Sequence, residues 1–155
     1  MKKIILNTAL SLFFTTCSFL ANAEEIGKVK ALNGAVSIDR AGQRSAAALG
    51  APVYKNDRIV TGKGGTIGLL FEDDSRLSIG PDSTVVLDHF NFNKATDMGQ
   101  FDVSLKKGTL SAVSGKITQR TPGAMKVSTP AAVLAVRGTE FSAKVDETTG
   151  QGAQK

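Results

Sequence analysis

Few residues in this chain have the type and spacing that chemistry demands. The densest carboxylates are Glu72, Asp73 and Asp74, with Asp57 before them and Asp82 after. Asp73, Asp74 and Asp82 fall on neighbouring turns, and turn carboxylates supply the oxygen ligands that Ca²⁺ takes. The stretch matches neither the EF-hand loop nor a glycine-rich nonapeptide repeat. Asp in a turn also caps its own backbone two residues on, and that reading is the stronger one. His89 stands in an apolar strand with no Ser, Cys or Asp at a catalytic spacing, so a surface or half-buried imidazole is expected. Gly62-Lys63-Gly64-Gly65-Thr66 has Gly and Lys without phosphate-loop spacing or a following helix. No Gly-x-Ser-x-Gly elbow occurs. In Arg137-Gly138-Thr139, Gly138 permits a positive φ or a close backbone approach. Arg137 can meet a carboxylate or carbonyls, either as a recognition residue for an acidic group or as a structural corner. The corner is favoured, because no nucleophile or base lies nearby in sequence.

The counts narrow the classes further. With one His and one Cys in 155 residues, an intramolecular disulfide, a thiolate metal cluster and a multi-histidine site are excluded. The chain is 41% hydrophobic and 21% charged, too apolar for a disordered protein. No metal or cofactor is expected, and no enzymatic activity. Its formal charge is +5, unevenly placed. From Glu24 to Leu105 there are 9 basic and 11 acidic residues, and from Lys106 to Lys155 there are 8 basic and 3 acidic. Lys106, Lys107, Lys116, Arg120 and Lys126 thus make a candidate basic face toward acidic envelope polymers, anionic lipid or an acidic partner. A solvated surface is the plainer alternative. Nucleic acid is disfavoured, since aromatics do not interleave with the cations.

The N-terminus explains part of that charge. Met1-Lys2-Lys3 is followed by a mostly apolar stretch from Ile4 to Phe14 and by Ala21-Asn22-Ala23, a small-x-small site. This predicts a secretory signal peptide over residues 1–23, cut after Ala23, and hence a periplasmic or secreted protein. The export signal also argues against a nucleic-acid partner. Cys17 follows Phe14-Thr15-Thr16, which fits no lipobox, so lipidation there is disfavoured. Cleavage leaves a chain without Cys, a net charge of +3, and no further apolar stretch near the roughly 20 residues of a spanning helix.

The remainder must position these residues, and it alternates in short runs. The 16 glycines mark turns between strands. Lys28–Leu32 and Ala35–Asp39 flank Asn33-Gly34, a hairpin signal. Ala41–Ala51 is a loop with room for one short strand. Arg58–Thr61, Thr66–Phe71, Arg76–Ile79 and Thr84–Phe92 follow, with Ile67, Leu69, Phe71, Leu77 and Ile79 on the inner faces. Gln100–Leu105 ends at Lys107-Gly108, and a new strand runs over Thr109–Val113. Ser114–Gly123 is a loop and Met125–Thr129 a short strand. Ala131–Val136 is the one stretch with a helical possibility. Thr139–Val145 alternates again, and 148–155 form a polar flexible tail. The prediction is an all-β domain over 24–147 of about ten short strands with Gly and Asp turns, a sandwich, barrel or solenoid.

Three blocks carry a family resemblance. They are Asn56-Asp57-Arg58-Ile59-Val60-Thr61 with its flanking strands, Asp74-Ser75-Arg76-Leu77-Ser78-Ile79-Gly80-Pro81-Asp82-Ser83, and Val127 through Phe141. The last holds Thr129-Pro130 and Arg137-Gly138-Thr139-x-Phe141. Their order and spacing resemble the FecR domain, named after the periplasmic region of a regulator of iron-citrate transport, over roughly Gly34 to Val145. The resemblance implies an all-β, rolled or solenoid-like domain outside the cytoplasm. In full-length regulators that domain receives a signal from an outer-membrane transporter and passes it to a sigma factor. It also implies that Thr129, Pro130, Arg137, Gly138, Thr139 and Phe141 form an interaction or structural motif. The sequence shows neither a cytoplasmic segment nor a span retained after cleavage, which points instead to the stand-alone secreted members. Few residues follow Val145, so an open last coil or one completed by a partner is expected. The resulting expectation is a non-enzymatic, exported protein acting by protein–protein contact in the envelope, possible signalling included. The alternative is envelope polysaccharide or peptidoglycan binding through the basic half.

Overall fold

The computed structural model describes residues 24–137 and 140–146. The expected signal peptide with Cys17 and its cleavage site, Gly138, Thr139 and the 148–155 tail lie outside the described residues.

Twelve strands and one helical turn make up the described chain. They are β1 (Glu25–Asn33), β2 (Val36–Arg40), β3 (Gln43–Ala46), β4 (Pro52–Tyr54), β5 (Arg58–Thr61), β6 (Thr66–Phe71), β7 (Arg76–Ile79), β8 (Thr84–Asn93), β9 (Met98–Val113), α1 (Lys116–Arg120), β10 (Met125–Ser128), β11 (Val133–Val136) and β12 (Glu140–Val145). They form a rolled sheet whose two layers share β9. One layer runs β4-β1-β6-β7, then the second half of β9, then β12. The other runs β3-β2-β5-β8, then the first half of β9, then β10 and β11. The ladders are antiparallel except β9–β10, which is parallel. The rolled form of the expected all-β domain is therefore the one that folds.

Alternation along the strands builds the core. Ile67, Leu69 and Phe71 of β6 and Leu77 and Ile79 of β7 are buried, each at 2% exposure or less, as their period-2 spacing predicts. At one end Phe71, Phe90 and Phe101 form a ring cluster, with centroids 4.5, 5.1 and 5.7 Å apart. Phe101 meets Phe90 edge-on, the preferred quadrupole geometry. In β8 the inward row changes from Val85 and Leu87 to Phe90, because the ladder slips between Leu87 and His89. A bulge of this kind re-aims side chains without ending the strand.

Four expectations are corrected. Asn33-Gly34 does turn the chain, with Gly34 at φ +66°, but no β1–β2 hairpin forms. The turn passes the chain from one layer to the other, where β1 finds β6 and β2 finds β5. Lys107-Gly108 does not end a strand. β9 continues through Gly108 at φ +89° and bends from one layer into the other, its buried row changing from Phe101, Val103 and Leu105 to Leu110 and Ala112. Ala131–Val136 is not helical. Pro130 and the β-branched Val133 and Val136 favour extension, and Val133–Val136 pairs with β10 throughout. The helical turn instead lies in the expected 114–123 loop, where Ile117, 1% exposed, anchors it on the core.

Candidate interaction surface

The buried carboxylates are held structurally. Asp57 is fully buried, and Arg40 embraces it from the layer's edge. Arg40 Nε donates to Oδ1 and Nη2 to Oδ2, both at 2.8 Å, and the Tyr54 backbone N–H donates to Oδ2 at 2.9 Å. The Arg40 guanidinium also stacks 4.1 Å over the Tyr54 ring, and its hydrogen bonds to Asp57 raise its pKa above the ordinary arginine value. This latch fixes the β4–β5 connection against β2. Asp73, also fully buried, forms the expected Asp turn. The Ser75 N–H donates to Oδ1 at 3.1 Å and the Ser75 hydroxyl to Oδ2 at 2.6 Å. The same hydroxyl accepts the Gly115 N–H at 2.9 Å, and the Asp73 carbonyl accepts the Lys116 N–H at 2.8 Å. The turn thus docks α1. Asp74 and Asp82 sit at positive φ on two different turns, and Asp74 pairs with Lys116 at 2.9 Å. Among the described residues no group of three or more His, Cys, Asp or Glu is placed to hold a metal ion. His89 is half-buried, its Nε2 3.3 Å from the Asn91 amide.

The candidate cations occupy separate elements. Lys106 and Lys107 are on β9, Lys116 and Arg120 on α1, and Lys126 on β10. Hydrogen bonding to Asp74 raises the Lys116 pKa above 10.5, its ordinary value. Lys126 stands in register with Asp102.

The Thr-Pro block forms a hairpin. The Thr129 N–H donates to the Ala132 carbonyl at 2.8 Å, and the Ala132 N–H donates to Thr129 Oγ1 at 3.1 Å. Thr129 therefore clamps a turn with Pro130 at its exposed tip, and the turn returns the chain as β11. Arg137 is exposed beyond it and makes no ion pair among the described residues. The buried carboxylates, Asp57 and Asp73, are held by other groups. Phe141, on β12, is half-buried against the core. The motif residues described here thus frame the end of the roll where both layers stop.

At that end β11 and β12 are edge strands, pairing only with β10 and β9 among the described residues. On β11 the side chains of both faces are apolar, yet Val133 is 66% and Leu134 37% exposed. A strand with two apolar faces belongs inside a sheet. Sequence reasoning marked this block as a motif and missed its exposure, because Val-Leu-Ala-Val has no polar alternation to show which face meets solvent. The Arg40–Asp57 latch was missed as well, since its two residues lie on separate elements.

These features define a class first: an all-β roll built around one bent strand, with an edge strand, β11, that carries apolar side chains. The FecR protein family matches residues 57–153, more than half the chain, and the chain belongs to that family. Its domains mediate protein interactions in envelope signalling. The match begins at Asp57, later than the Gly34 suggested by the motifs. A solved structure titled "Cell surface anchoring domain" is 31% identical, covering 39% of this chain and 82% of that chain with a TM-score of 0.39. No curated protein matches.

Proposed function

We propose that this is an exported, non-enzymatic FecR-domain protein that acts by protein–protein contact in the cell envelope, in signalling or a related task. The observation that carries the reading is the exposed apolar edge of β11. Among the described residues its outer backbone is unpaired, and its side chains are apolar on both faces, which fits an extended, apolar segment of a partner added as the next strand. Membership of a family whose domains mediate such contacts supports it, and the sequence of residues 1–23 supports export. No helix of the described residues is long and apolar enough to cross a membrane.

The test is binding of tagged protein to envelope extract, with Val133→Asp as the control. A saturable protein partner retained by the wild type and lost by Val133→Asp, with unchanged thermal unfolding, is the expected result. The second reading, binding of envelope polysaccharide or peptidoglycan, draws on the basic excess after Leu105. Co-sedimentation with sacculi, abolished by charge reversal of Lys106, Lys107 and Lys116 but not by Val133→Asp, would favour it.

A further inference from the structure

The other open edge, β12, carries a pattern that β11 lacks. Its outward row is Glu140, Ser142 and Lys144, all exposed, and its inward row is Phe141, Ala143 and Val145, all half-buried against the core. The strand bonds β9 along its full length, from Glu140 opposite Val113 to Val145 opposite Gly108, leaving its far side unpaired among the described residues. We propose that this edge pairs with the β12 edge of a second copy of the chain, antiparallel about a two-fold axis through Ser142.

Charge and face select that partner and that register. Strand pairing must keep inward rows opposite inward rows, because a one-residue slip would turn the apolar row to solvent. Registers that obey this have one residue of β12 on the axis. With Ser142 there, Glu140 stands opposite Lys144 of the second copy, and the symmetry makes this pair twice. Phe141 then lies beside Ala143 in the inward row, so the core stripe continues across the junction. With Ala143 on the axis, Glu140 would oppose Asp146 instead. Parallel pairing in register would set Glu140 against Glu140 and Lys144 against Lys144. Like charges directly opposite destabilise a ladder and opposite charges support it. Among the described residues the ion pair of Lys144 is with the exposed Asp146, at 2.7 Å, a surface contact that an opposite carboxylate can replace. An isologous contact of this kind closes on itself and does not propagate into a fibre.

The proposal is separate from the β11 reading, since it uses the edge of the other layer. The test measures self-association of the purified full chain by sedimentation, together with three variants. The wild type is expected to show a monomer–dimer equilibrium. Glu140→Lys should weaken it about tenfold by placing lysines opposite each other, and adding Lys144→Glu should restore it by exchanging the charges. In a Cys17→Ala background, Ser142→Cys should form a disulfide-linked dimer on mild oxidation, because the two residues meet at the axis. A wild type that stays monomeric overturns the proposal, and so does a dimer indifferent to Glu140→Lys with no cross-link through residue 142. Dimerisation that appears only after removing residues 147–155 overturns it as well, since the chain's own tail would then cover the edge.

Discussion

Asp57 shows what a single buried charge does in this fold. Its carboxylate has no exposure and depends on Arg40, whose side chain is 44% exposed, and on one backbone N–H. Removing one partner strands the other charge. Because Arg40 is partly solvated, Arg40→Met is expected to lower stability by about 1–3 kcal/mol, read as a lower urea midpoint with an unchanged slope. Gly115 is a second sensitive position, for steric reasons. A Cβ there would run into the Asp73 carbonyl and the Ser75 backbone N, so Gly115→Ala should cost about 1–3 kcal/mol by displacing α1 from the turn. Lys116, exposed on α1, behaves differently. Its pKa is raised, chiefly by the hydrogen bond to Asp74, so the pair's contribution is complete below the ordinary lysine value of 10.5 and fades as pH rises through the raised one. The stability difference between wild type and Lys116→Met should therefore be small and constant from neutral pH to about pH 9, then vanish in stronger alkali. At this scale the Asp73 turn was legible, because an Asp bonds its own neighbours. Asp57's partner was not, because 17 positions separate it from Arg40.

β9 is the element on which the roll turns. It serves both layers, and its bend sits at Gly108, where φ is +89° and the Ser83 side chain lies against the backbone. Gly108→Val combines strain with a clash, and a loss of several kcal/mol or failure to fold is expected; thermal unfolding of Gly108→Val beside the exposed control Gly42→Val separates the two effects. Lys-Gly resembles a strand end in sequence because a positive-φ glycine ends far more strands than it bends. The hairpin between β10 and β11 hangs on Thr129. Thr129→Ala removes both Oγ1 bonds to Ala132 and should cost about 1 kcal/mol, seen as faster amide exchange in β11 with little change in β6 or β7. The strand nature of β11 was obscured because Ala-Ala-Val-Leu-Ala has neither helical nor alternating periodicity; its pairing with β10 decides the matter. Strands β6 and β7 were legible throughout, since one of their faces is core and the other is not.

For the molecule as a whole, composition and turn spacing were enough to indicate an all-β domain, and the motif blocks were enough to indicate the family and, with it, a rolled or solenoid-like form. Layer order was not legible. Asn33-Gly34 carries a hairpin signal, yet β1 pairs with β6 and β4 while β2 pairs with β5 and β3, a choice made by burial of the two inner faces rather than by the turn. The consequence of that order is an asymmetric molecule. At one end the loop 47–51 ties the layers, with the Gly50 N–H donating to Val29 and the Ala47 N–H to Val36. At the other, β11 and β12 are edge strands among the described residues, and Val133 and Leu134 of β11 face solvent. A photo-crosslinking residue placed at Val133 in cells expressing the protein tests the proposed role most directly, with the same probe at the exposed Gln43, on β3 at the opposite edge of that layer, as control. A discrete protein adduct formed from position 133 and absent from position 43 is the predicted result. Equal labelling at both positions, or adducts to glycan alone, would contradict it.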